Sequence, residues 1–321
     1  MKKPGLAALA CVAALASAGA LAQAFPSKPV RIVVAFPAGG GTDIVARLLA
    51  PRLTEAWGQQ VIVDNRAGAS GVIGTELAAR SPADGYTLFL GTLGNLAVNP
   101  HLYPKMTIDP VRDFAPVTQV VAVHFVMVAN PALPARSVAE LIALAKSRPG
   151  QINYSSSGPG GAPHLAGELF KSMAKVDLVH VPYKGSAPSF QDLLGGQVSL
   201  TCDSLVQALP YIRDGRLIAL AVLGATRSPL LPEVPTVGET LPGYELTNWF
   251  GLVAPAATPR ATVARIHDDV VKVLRDPGVA ERLSGMGATA IGNEPGEFGA
   301  AMRADSEKWG KLIREAHIKA E

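Results

Sequence analysis

A turn made only of glycine, Gly39-Gly40-Gly41, joins an apolar run to a helix-period run, and no other feature of the chain constrains its fold as much. Val30, Ile32, Val33 and Val34 read as a strand buried on both faces, the pattern of a parallel sheet. Ile44, Val45, Leu48, Leu49 and Leu53 recur at helical spacing directly after the turn. Glycine lets the backbone approach a ligand with no Cβ in the way. A helix N-terminus adds unpaired N–H donors and the positive end of its dipole. The joint from Phe36 to Asp43 is therefore an expected anion seat, open to carboxylate as readily as to phosphate. It lacks the Gly-Lys-Ser/Thr ending of a nucleotide loop and the spacing of a dinucleotide fingerprint, which disfavours phosphate chemistry.

The same strand-then-helix alternation continues along the chain. Strands are expected at Val61–Val63, Tyr86–Leu90, Ile152–Tyr154, Leu178–Val181, Val198–Thr201, Leu217–Leu223 and Trp249–Val253. Helices are expected at Gly71–Arg80, from Ser137 with a capping box to Glu140, at His164–Met173, Ser189–Leu194, around Thr262–Leu274, and from Pro295 to Ala316. Val117 to Ala129, broken by His124, is too long for one ordinary strand. Alternation of this kind argues α/β architecture, and two such runs argue two lobes, each a mostly parallel sheet flanked by helices. The late strand at Trp249 and the last helices are expected to return to the first lobe, so the chain crosses between lobes twice. The crossings, near Val121–Val128 and Trp249–Val253, are the expected hinge.

Two further joints resemble the first in placement: Ser155 to His164, and Tyr183-Lys184-Gly185-Ser186. In open α/β sheets ligands bind outside the carboxyl ends of the strands, where such joints lie. Two lobes presenting them to each other form a cleft with donors on both walls, and the hydroxyls of Thr42, Ser155, Ser156 and Ser157 favour a carboxylate without supplying fixed charge. Asp43 falls in the first turn of its helix, a place where it stabilises the dipole or meets a ligand. His164, with Glu168 one turn on, reads as a neutral donor to a ligand; a metal site from that pair lacks a third ligand nearby. Lys184 could neutralise a carboxylate or sit on the surface, and Asp203 could orient loops or accept from a ligand amine. No catalytic residue, metal or cofactor is expected. The alternative is a secreted α/β hydrolase acting on small acid esters, but no Gly-x-Ser-x-Gly elbow follows the glycine-rich loop.

Composition limits the partners. Lys2 and Lys3, the apolar run Leu6–Leu21 and the small residues Ala20-Leu21-Ala22 read as a secretory signal peptide over residues 1–22, cleaved near Ala22, so a periplasmic address is expected. Removing Lys2 and Lys3 from a net charge of +3 leaves +1, with no basic run to hold nucleic acid or an anionic membrane. Of the 2 cysteines only Cys202 follows the leader, so no internal disulfide is available.

Several segments carry a family resemblance over essentially the whole mature chain: Pro26-Ser27-Lys28-Pro29-Val30-Arg31, Phe36-Pro37-Ala38-Gly39-Gly40-Gly41-Thr42-Asp43, Val63-Asp64-Asn65-Arg66-Ala67-Gly68 and Ala83-Asp84-Gly85-Tyr86-Thr87-Leu88. Asp113-Phe114-Ala115-Pro116-Val117, His164-Leu165-Ala166-Gly167-Glu168, Val181-Pro182-Tyr183-Lys184-Gly185, Leu193-Leu194-Gly195-Gly196-Gln197-Val198 and Trp249-Phe250-Gly251-Leu252 extend it. The chain resembles the Bug-type periplasmic solute-binding receptors of tripartite tricarboxylate transporters. The resemblance implies a two-lobe periplasmic binding protein (a Venus flytrap), monomeric, that closes on a small carboxylate and delivers it to a membrane permease. It implies ligand contacts at Phe36, Ala38, Gly39, Gly40, Gly41 and Thr42 in one lobe, and at Ser155, Ser157, Gly158, Gly160 and His164 in the other. Lobe 1 is expected over residues 23–123 and 247–321, lobe 2 over 124–246. The chain departs from the family at Leu93-Gly94-Asn95-Leu96 and Thr201-Cys202-Asp203-Ser204, which face the distal part of the ligand.

Overall fold

The computed structural model of the chain describes residues 25–315. The expected leader, with Cys11 and the cleavage point near Ala22, lies outside the described residues. The chain opens with β1 (Val30–Val34), α1 (Gly41–Trp57), β2 (Val61–Asn65), α2 (Val72–Ala79) and β3 (Thr87–Thr92). β1 is buried at every position but Arg31, as its apolar pattern requires. α1 stops at Gly58, whose φ of 61° is the left-handed C-cap conformation that glycine adopts at no steric cost.

The long run from Phe114 divides at His124 into β4 (Phe114–Val123) and β5 (Phe125–Ala129), which belong to different sheets. Beyond it come α3 (Val138–Ser147), β6 (Asn153–Ser156), α4 (Ala162–Ala174), β7 (Val179–Pro182), α5 (Ser186–Leu194), β8 (Leu200–Ser204), α6 (Leu205–Arg213) and β9 (Ile218–Val222). The capping box read at Ser137 is half formed. Ser137 Oγ accepts from Glu140 N–H, while the Glu140 carboxylate reaches past Ser137 to Arg136 N–H. The chain ends with β10 (Asn248–Pro255), α7 (Arg260–Leu274), α8 (Pro277–Gly285), β11 (Ala288–Ala290) and α9 (Pro295–Glu315).

The first sheet has the order β11-β4-β10-β3-β1-β2, and the second β7-β6-β8-β5-β9. In the first, β1 to β4 point one way and β10 and β11 run against them; in the second, only β5 is reversed. Most strands in each sheet are thus codirectional, and a reversed strand, β10 or β5, is inserted next to the parallel set. β5 shows why its run is continuously apolar. Val126 and Val128 pack on Phe190, Leu193 and Leu209, while Phe125, Met127 and Ala129 face the larger core on the other side.

The two crossings run side by side. His124 N–H donates to Gly287 O at 3.1 Å and its carbonyl accepts from Leu205 N–H at 2.8 Å. On the return, Leu223 N–H donates to Phe125 O and Leu246 N–H to Leu223 O, and Asn248 then pairs with Val123. The second crossing therefore precedes the expected Trp249–Val253: those residues sit in mid-β10, buried within the first sheet, because their apolar pattern marks a core strand and not the connection. α6, α8 and β11 were not anticipated. Pro210 inside α6 breaks the helical signal, and β11 spans only 3 residues.

Candidate functional site

Four helices begin at one cavity between the two sheets. α1 brings Gly40, Gly41 and Thr42; α4 brings Gly161, Ala162 and Pro163; α5 brings Ser186, its first residue; and α6 brings Ser204, its N-cap. Each follows a strand's carboxyl end, so the α/β alternation itself aims the positive ends of four helix dipoles at the same space. Phe36, Thr92, Phe125, Ser157, Asp203, Asn248 and Phe250 complete the lining. The cavity measures about 40 Å³, where one water needs roughly 10–15 Å³ on the same measure, so the lobes as arranged enclose room for about three waters.

Among the described residues, no lysine, arginine or histidine side chain lines it, and Asp203 is the one acid that does. Burial raises the Asp203 carboxyl to about 6; the Ser186 hydroxyl at 2.6 Å and the Ser204 N–H at 2.6 Å pull the other way. Ser204 Oγ and Asn248 Oδ1 are buried with no hydrogen-bond partner among the described residues. A buried polar atom without a partner is uncommon in a folded chain, and two lining one cavity suit a ligand or ordered water.

Of the residues expected to touch a ligand, Phe36, Gly40, Gly41, Thr42, Ser157 and Asp203 line this cavity. The others lie around it. Ala38 and Gly39 are exposed on the first joint. Asp43 is buried beneath it, accepting from Gly39 N–H at 2.9 Å, Asn65 Nδ2 at 2.9 Å and the Arg47 guanidinium. Burial alone would raise the Asp43 carboxyl; hydrogen bonds from Arg47, Gly39 and Asn65 outweigh it and hold the group below its ordinary value. Its work is to fix the shape of the joint.

Ser155 accepts from Ser189 Oγ at 2.7 Å beneath the second joint. Gly158 N–H donates to Ser156 Oγ at 3.1 Å. Gly160 N–H donates to His164 Nδ1 at 3.1 Å, so that nitrogen is an acceptor spent on the protein's own backbone, not a donor aimed at a ligand. Burial depresses the His164 pKa to about 4, which keeps the ring neutral, and the ring stacks on His180 with centroids 4.4 Å apart. The Glu168 carboxylate, read with His164 as a thin metal pair, accepts from Tyr154 Oη and Lys171 Nζ. Lys184 is exposed.

The sequence reading did not reach Thr92, Phe125, Asn248 and Phe250 as site residues. All four come from the strands that meet at the interlobe crossing. Ser204 was named only within the Thr201–Ser204 segment facing the distal part of the ligand, and its place as a helix N-cap was missed because α6 was not read as a helix.

A sequence model of the family described as "Tripartite tricarboxylate transporter family receptor" matches residues 45–318. Protein BugT of Bordetella pertussis is 37% identical over 300 residues, covering 93% of this chain and 92% of that protein. Among solved structures, Rpa4515 of R. palustris with adipate superposes with a TM-score of 0.89 at 40% identity, over 92% of this chain and 99% of that one. MatC from Rhodopseudomonas palustris with bound malate gives 0.86 at 31% identity, over 90% and 100%.

Proposed function

The chain belongs to the family of tripartite tricarboxylate transporter receptors, solute-binding proteins and not enzymes, and we propose that it holds a small carboxylate in the cavity between its two sheets. The observation that carries this reading is the convergence of four helix N-termini on a cavity with no cationic side chain among its described lining residues. Neutral donors suit a carboxylate, whose charge is spread over two oxygens, better than a doubly charged phosphate. The adipate and malate named for the two similar structures point to a small aliphatic dicarboxylate as the ligand class. The alternative of a hydrolase falls with the family.

Among the described residues, 25–123 with 247–315 are assigned to one lobe and 124–246 to the other. The cavity takes one wall from each, so a bound acid stabilises the arrangement in which both walls touch it. The paired crossings at His124 and Leu246–Asn248 are where the lobes turn relative to each other, because only two strands of chain join them there. The mature receptor, freed of its leader near Ala22, works as a monomer in the periplasm and hands its ligand to a tripartite tricarboxylate-type permease.

A thermal-shift series on the ligand-stripped mature protein tests the reading. An acid present at 100 times its dissociation constant adds about 2.7 kcal/mol, a rise of a few degrees for a chain of this size. Stabilisation by one chemical group of dicarboxylates supports the proposal. Indifference to a panel of C4 to C6 acids, with stabilisation by a cationic or neutral solute instead, rejects it.

A further inference from the structure

The segment Gly68-Ala69-Ser70-Gly71 has positive φ at all of its residues, 140°, 46°, 52° and 89° in order. Glycine tolerates this region, whereas alanine and serine occupy it under strain. Such strain persists only where surrounding structure enforces it, and it concentrates where function needs a fixed shape. Here the Ser70 carbonyl is tied by Asn99 Nδ2 at 3.1 Å, and the Gly71 carbonyl by Thr75 Oγ1 at 2.7 Å. The turn carries Ser70 Oγ against Gly158, to within 2.5 Å of where a Cβ on that residue would lie. Gly158 itself has φ of 122°, so residue 158 is fixed as glycine by conformation and by contact alike.

The neighbouring residues of the second joint are met in the same way, each by the first lobe. Tyr103 Oη donates to Pro159 O at 2.7 Å. Asn99 Oδ1 stands 2.9 Å from where a Cβ on Gly160 would lie, and it is buried with no partner of its own. None of Ser70, Asn99 and Tyr103 lines the ligand cavity. Tyr103 bonds the backbone that leads into α4, and Ser70 and Asn99 pack against it; the α4 N-terminus does line the cavity.

We propose that Ser70, Asn99 and Tyr103 form an interlobe latch: they seat the glycine-rich joint of the second lobe when the lobes meet, and so set ligand affinity without touching the ligand. The proposal rests on the two-lobe reading above. Apparent affinity scales with the fraction of molecules in the binding-competent arrangement, so a contact made only there tightens binding as a ligand contact would. Its loss acts on escape more than on encounter, because the acid enters through the unlatched arrangement, with which latched ligand-free molecules also exchange, and is held once the latch closes.

Tyr103→Phe removes one hydroxyl and keeps the ring. Ser70→Gly removes the hydroxyl packed against Gly158 and relaxes the strained turn. Tyr86→Phe, on the exposed hydroxyl that Ser27 shares, is the control. Small-angle scattering of each ligand-free protein reads the latch with no ligand involved. Stopped-flow binding of the dicarboxylate giving the largest thermal shift reads its effect on escape. The latch predicts a larger radius of gyration for both latch variants. It also predicts dissociation faster by about fivefold, an association rate within about twofold of wild type, and an unchanged Tyr86→Phe. Scattering identical to wild type for both variants overturns the proposal, as does weaker binding that comes from slower association. If wild type binds none of the acids, the carboxylate reading fails, while the scattering comparison still decides the latch.

Discussion

The Ser186 hydroxyl donates to Asp203 Oδ2 across 2.6 Å, linking the first residue of α5 to the end of β8 at the wall of the cavity. The pair puts a carboxyl group beside the place where an anion is proposed to sit. Asp203 is raised to about 6 by burial. Above that pH it is an anion facing an anion, and below it a neutral donor.

Binding of a dicarboxylate is therefore expected to weaken as pH rises above about 6, by at most about tenfold per pH unit, with one proton taken up per ligand bound. Calorimetric titration in buffers of different ionisation enthalpy measures that uptake directly. Asp203→Asn is expected to abolish both the uptake and the slope. A wild-type affinity flat from pH 5.5 to 8 contradicts the role given to Asp203.

Folding stability carries two opposed pH slopes. The folded chain keeps the Asp203 proton to about pH 6, while the unfolded chain releases it near 4, so this group's contribution falls as pH rises through that window. His164 does the reverse. Its folded pKa of about 4 lies below the unfolded 6.5, so stability is lost as pH falls from 6.5 towards 4. Each amounts to about 3 kcal/mol, and the two nearly cancel between pH 4 and 6. Urea unfolding at pH 4.5 and 7 is expected to show a stability that rises with pH in Asp203→Asn and falls with pH in His164→Gln, relative to wild type. Parallel profiles for all three proteins contradict the assignment.

Gly41 and Gly40 separate space from shape in the first joint. A Cβ on residue 41 would come 2.7 Å from Ser204 Oγ inside the cavity, whereas one on residue 40 meets nothing closer than Pro37 O at 3.6 Å. Gly41→Ala is expected to weaken carboxylate binding by about tenfold or more, the scale of ~1–3 kcal/mol of overpacking. Gly40→Ala should change it by less than about threefold. Equal losses in the two variants, measured by calorimetry, would remove the cavity wall from the site.

Cys202 is buried in mid-β8, and burial, with the Asp203 charge next to it, pushes its thiol far above the ordinary range. Thiolate is the reactive form. The mature protein is expected to resist an aromatic disulfide reagent at pH 8 for hours in buffer and to react stoichiometrically within minutes once unfolded in guanidinium. Fast labelling of the native chain would place Cys202 in an opening part of the fold.

How much of this was legible in the sequence follows from the range of each signal. β1, the glycine turn and α1 are consecutive, and each has a local cause, so Phe36, Gly40, Gly41 and Thr42 were readable as one joint. Asn248 and Phe250 reach the cavity only because β10 is inserted between β3 and β4, a pairing across more than 120 residues that no local pattern encodes. His164 is a subtler case. Its position at the start of α4 suggested a ligand donor, but which atom its ring would meet depended on the backbone path of Gly158 to Gly161. The latch was invisible for the same reason, since Ser70 stands far in sequence from the short helix Asn99–Leu102 and its cap Tyr103, with no motif joining them.

The most direct test of a carboxylate seated on converging helix N-termini is a crystal structure of the mature protein with its best-binding dicarboxylate. The account predicts carboxylate oxygens at about 3 Å from backbone N–H groups at the start of α1 and α4, directly or through one water. It predicts the remaining polar end near Ser204, Asn248 and Asp203. An acid found outside this cavity, or held there by a lysine or arginine side chain, would contradict it.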